Sequence, residues 1–299
     1  PLGNTWALDV RFLIRTVQRV AILGLGVLSV WLIVFVFHWV DRRLPFILAV
    51  ALAYGVAGYV VLPRAVRIGL KILHRRRVPR FTTTADGLTG DPVNFALLGT
   101  MGELRAAYAT AGWAEADALS LRSSWRMARA FVFNEPYPTA PFSTFYLFGR
   151  SQDVGFQKAI GDSPRRRHHI RFWAKSLAQV QAGVDGPSFW QKSARPNEDE
   201  SVLWIGAGTK DTGLSLTKLT FQVTHATDPD ANAEREYMID QLSKHGVIKD
   251  VTFYKPGERL PTKNTHYITD GEVAVAWLVG SGRQQKRKSR PSRGTTLTA

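Results

Sequence analysis

Two long apolar runs near the start of the chain constrain its fold more than any other feature. Val20–Val40 has no formally charged residue over 21 positions, and Leu44–Leu62 has none over 19. At about 1.5 Å of rise per residue, either run could cross the roughly 30 Å hydrocarbon layer of a bilayer as a helix. A buried core helix would show polar residues at helical spacing, and a cleaved signal peptide would be shorter and stand alone. The sequence therefore predicts two transmembrane α-helices.

The two spans are expected to form a tight hairpin over residues 20–62, because only three residues, 41–43, separate them. Small residues recur four apart in the second span. They are Ala49, Ala53 and Ala57 in one row, and Ala51 and Gly55 in another. Such rows let helix backbones approach closely, which makes the hairpin a candidate surface for membrane-protein partners. The alternative is that these residues simply face lipid.

The segment before the hairpin, residues 1–19, has an amphipathic pattern. Its apolar residues at 6, 10, 13 and 17 share one helical face, while Arg11, Arg15 and Arg19 lie four apart on another. This pattern is typical of a helix that lies in the membrane interface with its arginines on headgroups. The alternative is an early extension of the first span.

The net charge of +15 is concentrated at the two ends of the chain. Residues 1–80 carry twelve Lys or Arg and two acids, and residues 281–299 carry six bases and no acid, which leaves 21 bases and 22 acids in residues 81–280. Ten bases flank the hairpin and two lie in its loop, so both termini are predicted to be cytoplasmic. Membrane lipids are then expected partners, and the neutral middle disfavours specific binding of nucleic acid. The absence of cysteine excludes disulfides and thiolate metal ligands.

Residues 91–280 are predicted to form one soluble domain, α+β or α/β, with a mixed sheet. The predicted helices are Met101–Ala111, Leu119–Phe133 and Asp228–His245, the last with Asp228 as its N-cap. The predicted strands are Val93–Gly99, Thr144–Gly149, Val154–Ala159, His168–Ala174, Val202–Gly206, Leu219–His225, Val247–Tyr254 and Glu272–Val279. Residues 63–90 are expected to be a basic juxtamembrane linker, 182–200 a loop, and 281–299 a disordered basic tail.

The densest polar cluster lies in Ser163–Trp173. In a strand the side chains alternate, so His168 would face one side of the sheet and His169 and Arg171 the other. Arginine binds phosphate bidentately, and histidine is an acid or base near neutral pH. The candidate catalytic residues are therefore Arg167, His168, His169 and Arg171. The alternative is a solvated charge run that leads into a half-buried strand.

A second cluster stands where a predicted strand ends and a helix begins. A neutral imidazole at His225 with the carboxylates of Asp228 and Asp230 could hold a divalent metal, and such a metal generates hydroxide from water. The alternative is ordinary capping, in which Asp228 caps the helix while Asp230 and Glu234 favour its positive end. The sequence leaves both interpretations open.

Several segments resemble the LssY C-terminal domain family. They are Asp91–Asn94, Leu121–Ser124, Tyr137–Pro141, Phe148–Asp153, Phe156–Gln157, Ser163–Trp173, Val223–His225 and Asp228–Asp230. The resemblance covers roughly residues 90–255, and its most specific part is Arg-Arg-Arg-His-His-x-Arg-Phe-Trp. It implies a bacterial membrane protein with a shared polar motif, but no reaction. Arg150, Gln152, Arg165 and Arg166, which lie in these segments, are candidate substrate-binding residues.

The same resemblance also limits what can be carried over. In that family the domain is often joined to a membrane phosphatase domain of the type 2 phosphatidic acid class. This chain has two apolar runs rather than six and lacks the Pro-Ser-Gly-His signature of that class, so phosphatase activity does not carry over.

Two functions follow from these patterns. The first is a hydrolase, anchored in the bacterial inner membrane, that acts on a phosphorylated or lipid-derived substrate at the inner leaflet. Its arginines would bind the anion, and its histidines would serve as acid or base. The second is a non-catalytic accessory or scaffold subunit of a membrane complex, which the lack of a complete catalytic signature favours.

Overall fold

The computed structural model describes residues 5–73, 79–133, 135–161, 165–177, 197–216, 223–255 and 266–280. The helices are α1 Thr5–Asp41, α2 Phe46–Val56, α3 Leu62–Ile72, α4 Met101–Thr110, α5 Leu121–Phe133 and α6 Ala231–Lys244. The strands are β1 Phe81–Thr83, β2 Thr89–Pro92, β3 Phe95–Gly99, β4 Ala114–Glu115, β5 Tyr146–Leu147, β6 Arg150–Ser151, β7 Val154–Ala159, β8 Arg167–Ser176, β9 Val202–Leu216, β10 Val223–Thr227, β11 Ile248–Tyr254 and β12 Val273–Leu278.

Two long apolar helical stretches open the chain, as the sequence predicts. The first is α1, which is continuous from Thr5 to Asp41, so residues 5–19 extend the same helix rather than forming a separate one. In the second stretch, α2 passes through a π-helical turn at Ala57–Val61 into α3, which gives a helical run over Phe46–Ile72. Both stretches are long and apolar enough to cross a membrane and are mostly exposed. The protein therefore has two candidate membrane-spanning helices.

One row of small residues packs inside this hairpin. Ala49 and Ala53 are buried where α2 lies against α1, because their short side chains let the two backbones come close. Ala51, in the other row, is exposed. Farther along, the Gln18 side-chain amide donates to the Ile72 carbonyl at 2.9 Å, so α3 also contacts α1.

The described residues from 79 onwards form an α+β domain with two sheets. The large sheet has the order β11-β12-β3-β9-β8-β7-β4, with β10 paired to β9. It is mixed, because β12 runs parallel to β3 and its other described strand pairings are antiparallel. The small sheet has the order β2-β1-β5-β6. The mixed-sheet prediction is therefore confirmed.

The two faces of the large sheet carry separate cores. On one face, Phe172 of β8 and Trp204 of β9 pack with residues of α4 and α6, including Tyr108 and Met238. On the other face, the next residues along the same strands, Trp173 and Ile205, pack with Leu147 of the small sheet. This alternation follows from the two-residue period of a strand.

Two sequence predictions in this domain need correction. The polar stretch 80–90 is not merely a linker, because β1 and the start of β2 lie within it and the Thr82 hydroxyl donates to the Asp91 carbonyl at 3.1 Å. The N-cap of α6 is Asp230 rather than Asp228. Its carboxylate accepts from the backbone amides of Asn232 and Ala233.

Other predicted boundaries shift, and some predictions fall on residues outside the described ranges. The strand predicted to end at Gly206 continues to Leu216, since β9 pairs with β8 and then also with β10. The strand predicted over Thr144–Gly149 shortens to β5 because Phe148 and Gly149 turn with positive φ angles of 53° and 69°. Residues 178–196, 219–222 and 281–299 lie outside the described residues, and so do the predictions made for them.

Candidate functional site

Charged and titratable side chains are buried on the face of β8 that meets the small sheet. Arg167, His169 and Arg171 alternate along this strand and are only 4%, 2% and 5% exposed. Six residues from neighbouring elements join them in a set that we call the buried polar network. Its members are Asp91, Gln157, Arg167, His169, Arg171, Thr209, Asp211, His225 and Tyr267.

Arg171 occupies one end of the network. Its Nη1 donates to Asp91 Oδ2 at 2.5 Å and lies 2.6 Å from His169 Nε2. The other oxygen of Asp91 accepts a hydrogen bond from the Tyr267 hydroxyl at 3.0 Å. Because a guanidinium has only donors, a neutral His169 accepts from Arg171 through Nε2 and carries its ring proton on Nδ1. Burial lowers the pKa of His169, but Asp211 and Asp91 outweigh it and raise that pKa.

Asp211 lies at the centre of the network. Its Oδ2 accepts from Arg167 Nε at 2.8 Å, and its Oδ1 lies 3.3 Å from His169 Nδ1. His225 Nδ1 lies 3.6 Å from Asp211 Oδ2. Asp211 stands directly opposite Arg167 in the register between β8 and β9, which is why the two meet. One buried carboxylate therefore faces one guanidinium and two imidazoles.

Arg167 links the centre of the network to its outer side. Its Nη1 donates to Gln157 Oε1 at 2.5 Å, and its Nη2 lies 3.2 Å from His225 Nε2. Since arginine can only donate, His225 Nε2 is the acceptor, and the ring proton sits on the Nδ1 that faces Asp211. The His225 ring is thereby oriented by an arginine on one side and a carboxylate on the other.

The pKa values of the network follow from burial set against these contacts. Burial raises the pKa of Asp211, but His169 and Arg167 outweigh it and hold that pKa well below its ordinary value. The pKa of Asp91 is likewise lowered, because Arg171, His169 and Tyr267 together outweigh the effect of burial. Burial lowers the pKa of His225 to about 4, with Arg167 adding to the effect and Asp211 opposing it. His225 is therefore neutral at physiological pH.

The two arginines of the network lie against the ring of Phe142, and His225 is partly exposed to solvent. The guanidinium carbons of Arg167 and Arg171 each lie 5.0 Å from the centre of the Phe142 ring, a distance at which cations interact favourably with aromatic faces. The side chain of Asp211 is 1% exposed and that of His225 is 17% exposed. His225 is therefore the more accessible of the two.

The family model described as LssY C-terminus matches residues 75–273, which is more than half of the chain. The chain belongs to the LssY C-terminus family. The match includes every member of the buried polar network, and the two apolar helical stretches precede it. No curated protein and no solved structure matches the chain significantly.

The paired histidines of this LssY C-terminus domain lie on opposite faces of β8, as strand alternation predicts. His168 Nδ1 is 2.8 Å from Glu234 Oε2 on α6, and its ring stacks on Tyr237 with centroids 3.9 Å apart. His169 faces the small sheet and lies inside the network. His168 therefore does not share a site with the other candidate catalytic residues Arg167, His169 and Arg171.

The four candidate substrate-binding residues do not gather in one place. Arg150 pairs with Asp153 at 2.5 Å and also donates to the Ala174 carbonyl, while Gln152 accepts from the Phe145 amide at 3.1 Å. These contacts tie the loop between β6 and β7 to its neighbours. Arg165 and Arg166 are exposed in the turn that leads into β8, whereas Arg167 is buried.

The structure does not assemble the metal set suggested by the sequence. His225 contacts the network, but Asp228 accepts from Lys210 Nζ at 3.3 Å and from the Asp230 amide at 3.1 Å. Asp230 caps α6. Among the residues that the structure describes, no group of three His, Asp or Glu side chains could hold a metal ion. Asp230 therefore has the capping role that the alternative gave to Asp228, and Asp228 is held by Lys210 and the Asp230 amide.

Several residues of the network have no role predicted from the sequence. Asp91 lies in a segment shared with the family, while Thr209, Asp211 and Tyr267 lie in none of the quoted segments. One usable signal is that Thr209 and Asp211 are polar at alternating positions of β9, directly opposite His169 and Arg167 of β8. Gly206 and Gly208 of the same strand face the helices: a Cβ at Gly206 would lie 2.7 Å from Phe172 Cε1, and one at Gly208 would lie 2.3 Å from the Met238 side chain. These glycines serve close packing.

Proposed function

We propose that this protein is a membrane-anchored hydrolase that acts on a phosphorylated or lipid-derived substrate at the inner leaflet of a bacterial cytoplasmic membrane. The observation that carries the proposal is the Asp211 carboxylate, which faces Arg167, His169 and His225 within 3.6 Å. A carboxylate that orients an imidazole beside a guanidinium is an arrangement suited to acid–base chemistry on an anion.

Energetic cost supports a functional role for the network. Ionic groups are expensive to bury, and apolar residues of similar size would often stabilise the same space as well or better. Arg167, Arg171, Asp91 and Asp211 are nonetheless buried together. Strongly perturbed titratable groups cluster at functional sites more often than elsewhere.

In the proposed reaction, Arg167 binds the anionic group of the substrate and His225 is the base. The lone pair on His225 Nε2 points at Arg167, so a substrate anion that draws the guanidinium towards itself would free this atom. Arg167 is one of the charges that lower the pKa of His225, and its neutralisation by the anion would raise that pKa towards the working range of a base.

His225 would then take a proton from water while the water oxygen attacks the phosphorus or acyl carbon. The same imidazole would return the proton to the departing oxygen, so the ring ends the cycle neutral. Asp211 would keep the ring proton on Nδ1 throughout and stabilise the transient imidazolium.

The test is turnover of phosphomonoester, phosphodiester and carboxyl-ester substrates by the full chain in lipid nanodiscs. We expect His225→Gln to lose at least about a hundredfold in rate, the usual contribution of a positioned base. His245→Gln is the matched control, since His245 is exposed at the end of α6 and lies outside the network. Equal rates in the two variants and the unmodified protein would exclude His225 as the base.

The proposed topology has its own test. The ten bases that flank the hairpin favour a topology in which both termini and the domain lie in the cytoplasm. Reporter fusions at either terminus that are active only in the cytoplasm should both be active. Activity at one terminus alone would contradict the hairpin topology.

A second function is supported by the way the network is paired. Both buried arginines already hold a carboxylate, Asp211 for Arg167 and Asp91 for Arg171. Arginines whose charges are paired in this way need no ligand, and they suit a network that holds the fold of a scaffold or accessory subunit. That function predicts stable co-purification with other membrane proteins at native expression levels, and recovery as a lone monomer would count against it.

A further inference from the structure

An unpartnered apolar stripe runs along α5, on the side that faces away from the domain. Leu121, Trp125 and Val132 are 93%, 74% and 70% exposed. At 100° per residue these three positions fall within about 40° of one another around the helix axis, and exposed Ala128 lies beside them. The stripe is therefore continuous over the length of the helix.

The opposite side of α5 attaches the helix to the domain. Ser123 and Ala130 are buried, and Met127 packs with the cluster formed by Ala130 and Tyr137. These positions lie roughly half a turn away from the apolar stripe. The helix is therefore seated on the domain with its apolar residues pointing outwards.

Three arginines lie along one flank of the stripe. Arg122, Arg126 and Arg129 recur at helical spacing and are exposed. Arg126 lies 3.7 Å from Asp117, and Arg129 lies 3.0 Å from Glu135, in pairs whose side chains are 35–61% exposed. Exposed pairs of this kind are weak and exchange readily with other anions. Among the residues that the structure describes, Arg122 has no carboxylate partner.

The domain is also held close to the candidate membrane spans. The second helical stretch continues through α3 into the domain, and α3 touches loops of the small sheet. A Cβ at Gly149 would lie 3.0 Å from Lys71 Cγ, and one at Gly87 would lie 3.3 Å from Val66 Cγ2. Tethering of this kind gives a surface helix a high effective concentration at the bilayer.

From these observations we propose that α5 is a membrane-docking helix, with Leu121, Trp125 and Val132 inserted at the headgroup boundary of an anionic leaflet and the three arginines on lipid phosphates. Such helices combine an apolar face with flanking basic residues, and tryptophan favours the interface. The proposal does not depend on whether the buried polar network is catalytic.

The absence of cysteine in the chain allows a direct test. The full chain with Ala128→Cys carries an environment-sensitive fluorophore within the stripe. Ser243→Cys, at an exposed position of α6, serves as the matched control. Both are reconstituted in vesicles of phosphatidylcholine with phosphatidylglycerol and in vesicles of phosphatidylcholine alone. Aqueous iodide and lipid-borne nitroxide are the two quenchers.

In anionic vesicles we expect the probe at 128 to emit at shorter wavelength, to resist iodide and to be quenched by the lipid nitroxide. The probe at 243 should be quenched by iodide alone. Exchange of Arg122, Arg126 and Arg129 for glutamine should weaken docking by about fivefold per arginine, and neutral vesicles should weaken it similarly.

Two results would overturn the proposal. Iodide access at 128 in both kinds of vesicle would mean that the stripe stays in water. Protection from iodide without quenching by the lipid nitroxide would mean that protein covers the stripe, either a second copy or another subunit.

Discussion

The two faces of the large sheet are built from neighbouring residues of the same strands, yet the buried polar network lies on the face under the small sheet, beside an apolar cluster. The face under α4 and α6 packs apolar side chains such as Phe156 and Phe172 against Tyr108. The face under the small sheet buries Arg167, His169 and Arg171 between those positions. A shift of one residue along β8 separates an apolar core from an ionic one.

This difference predicts how each face responds to substitution. Apolar packing is a sum of many small contacts, so the loss of one side chain removes its own share and leaves a cavity. In the buried polar network each charge depends on a partner, and the loss of one partner leaves the other charge uncompensated. The free-energy changes caused by substitutions should add on the first face but not on the second.

The largest expected effect is that of Asp211→Ala. It leaves Arg167 without its carboxylate and removes the negative charge that faces both imidazoles, so we expect a loss of about 3–5 kcal/mol in the free energy of unfolding. The double variant Arg167→Met, Asp211→Leu should recover much of that loss, because the buried charge is then gone as well. Chemical unfolding of the full chain in detergent, followed by near-UV circular dichroism, measures both.

The matched control lies on the apolar face. The rings of Phe156 and Phe172 are 6.3 Å apart, and single and double exchanges to leucine should combine with a coupling of only about 0.5–1.5 kcal/mol. A coupling free energy between Arg167 and Asp211 that is no larger than this would contradict the proposed distinction between the faces.

The separation of the faces could be predicted from the sequence because it is a local property. Strand alternation assigns His168 and His169 to opposite sides without knowledge of any partner, and the structure agrees. The mixed sheet and the two apolar helical stretches are likewise encoded in short-range patterns.

The partners could not be predicted, because they come from distant parts of the chain. Tyr267 and Asp91 bond across 176 positions, and Asp211 meets Arg167 through a strand register that single-sequence patterns do not specify. The predicted N-cap of α6 was wrong for a different reason. Asp228 and Asp230 flank Pro229, and either aspartate suits an N-cap, so local preference does not choose between them.

A change of pH should also affect the stability contributed by the two faces differently, and the expected size of this effect is intermediate. The pKa of His225 is lowered from 6.5 to about 4, so the unfolded chain binds more protons than the folded one between these values. The stabilising effect of neutral His225 is present above pH 6.5 and is lost as the pH falls towards 4. The full loss in the free energy of unfolding is about 3 kcal/mol.

We therefore expect the melting temperature of the unmodified protein to fall between pH 7 and pH 4 more steeply than that of His225→Gln. The lowered pKa values of Asp91 and Asp211 add a further loss at lower pH, where those carboxylates are protonated. Phe172→Leu, on the apolar face, should lower the melting temperature by the same amount at every pH. Parallel pH curves for His225→Gln and the unmodified protein would contradict the assigned pKa of His225.

The variant with the smallest expected effect tests whether burial, rather than the number of ion pairs, makes the polar face sensitive to substitution. Arg105 on α4 contacts Glu115 at 2.9 Å and Glu198 at 2.8 Å, so it has as many acidic partners as any arginine of the network. Its side chain is 42% exposed, and water can replace both partners. Arg105→Ala should therefore cost less than about 1 kcal/mol in the same unfolding assay. A cost that approaches that of Asp211→Ala would show that pairing alone, without burial, accounts for the contrast between the two faces.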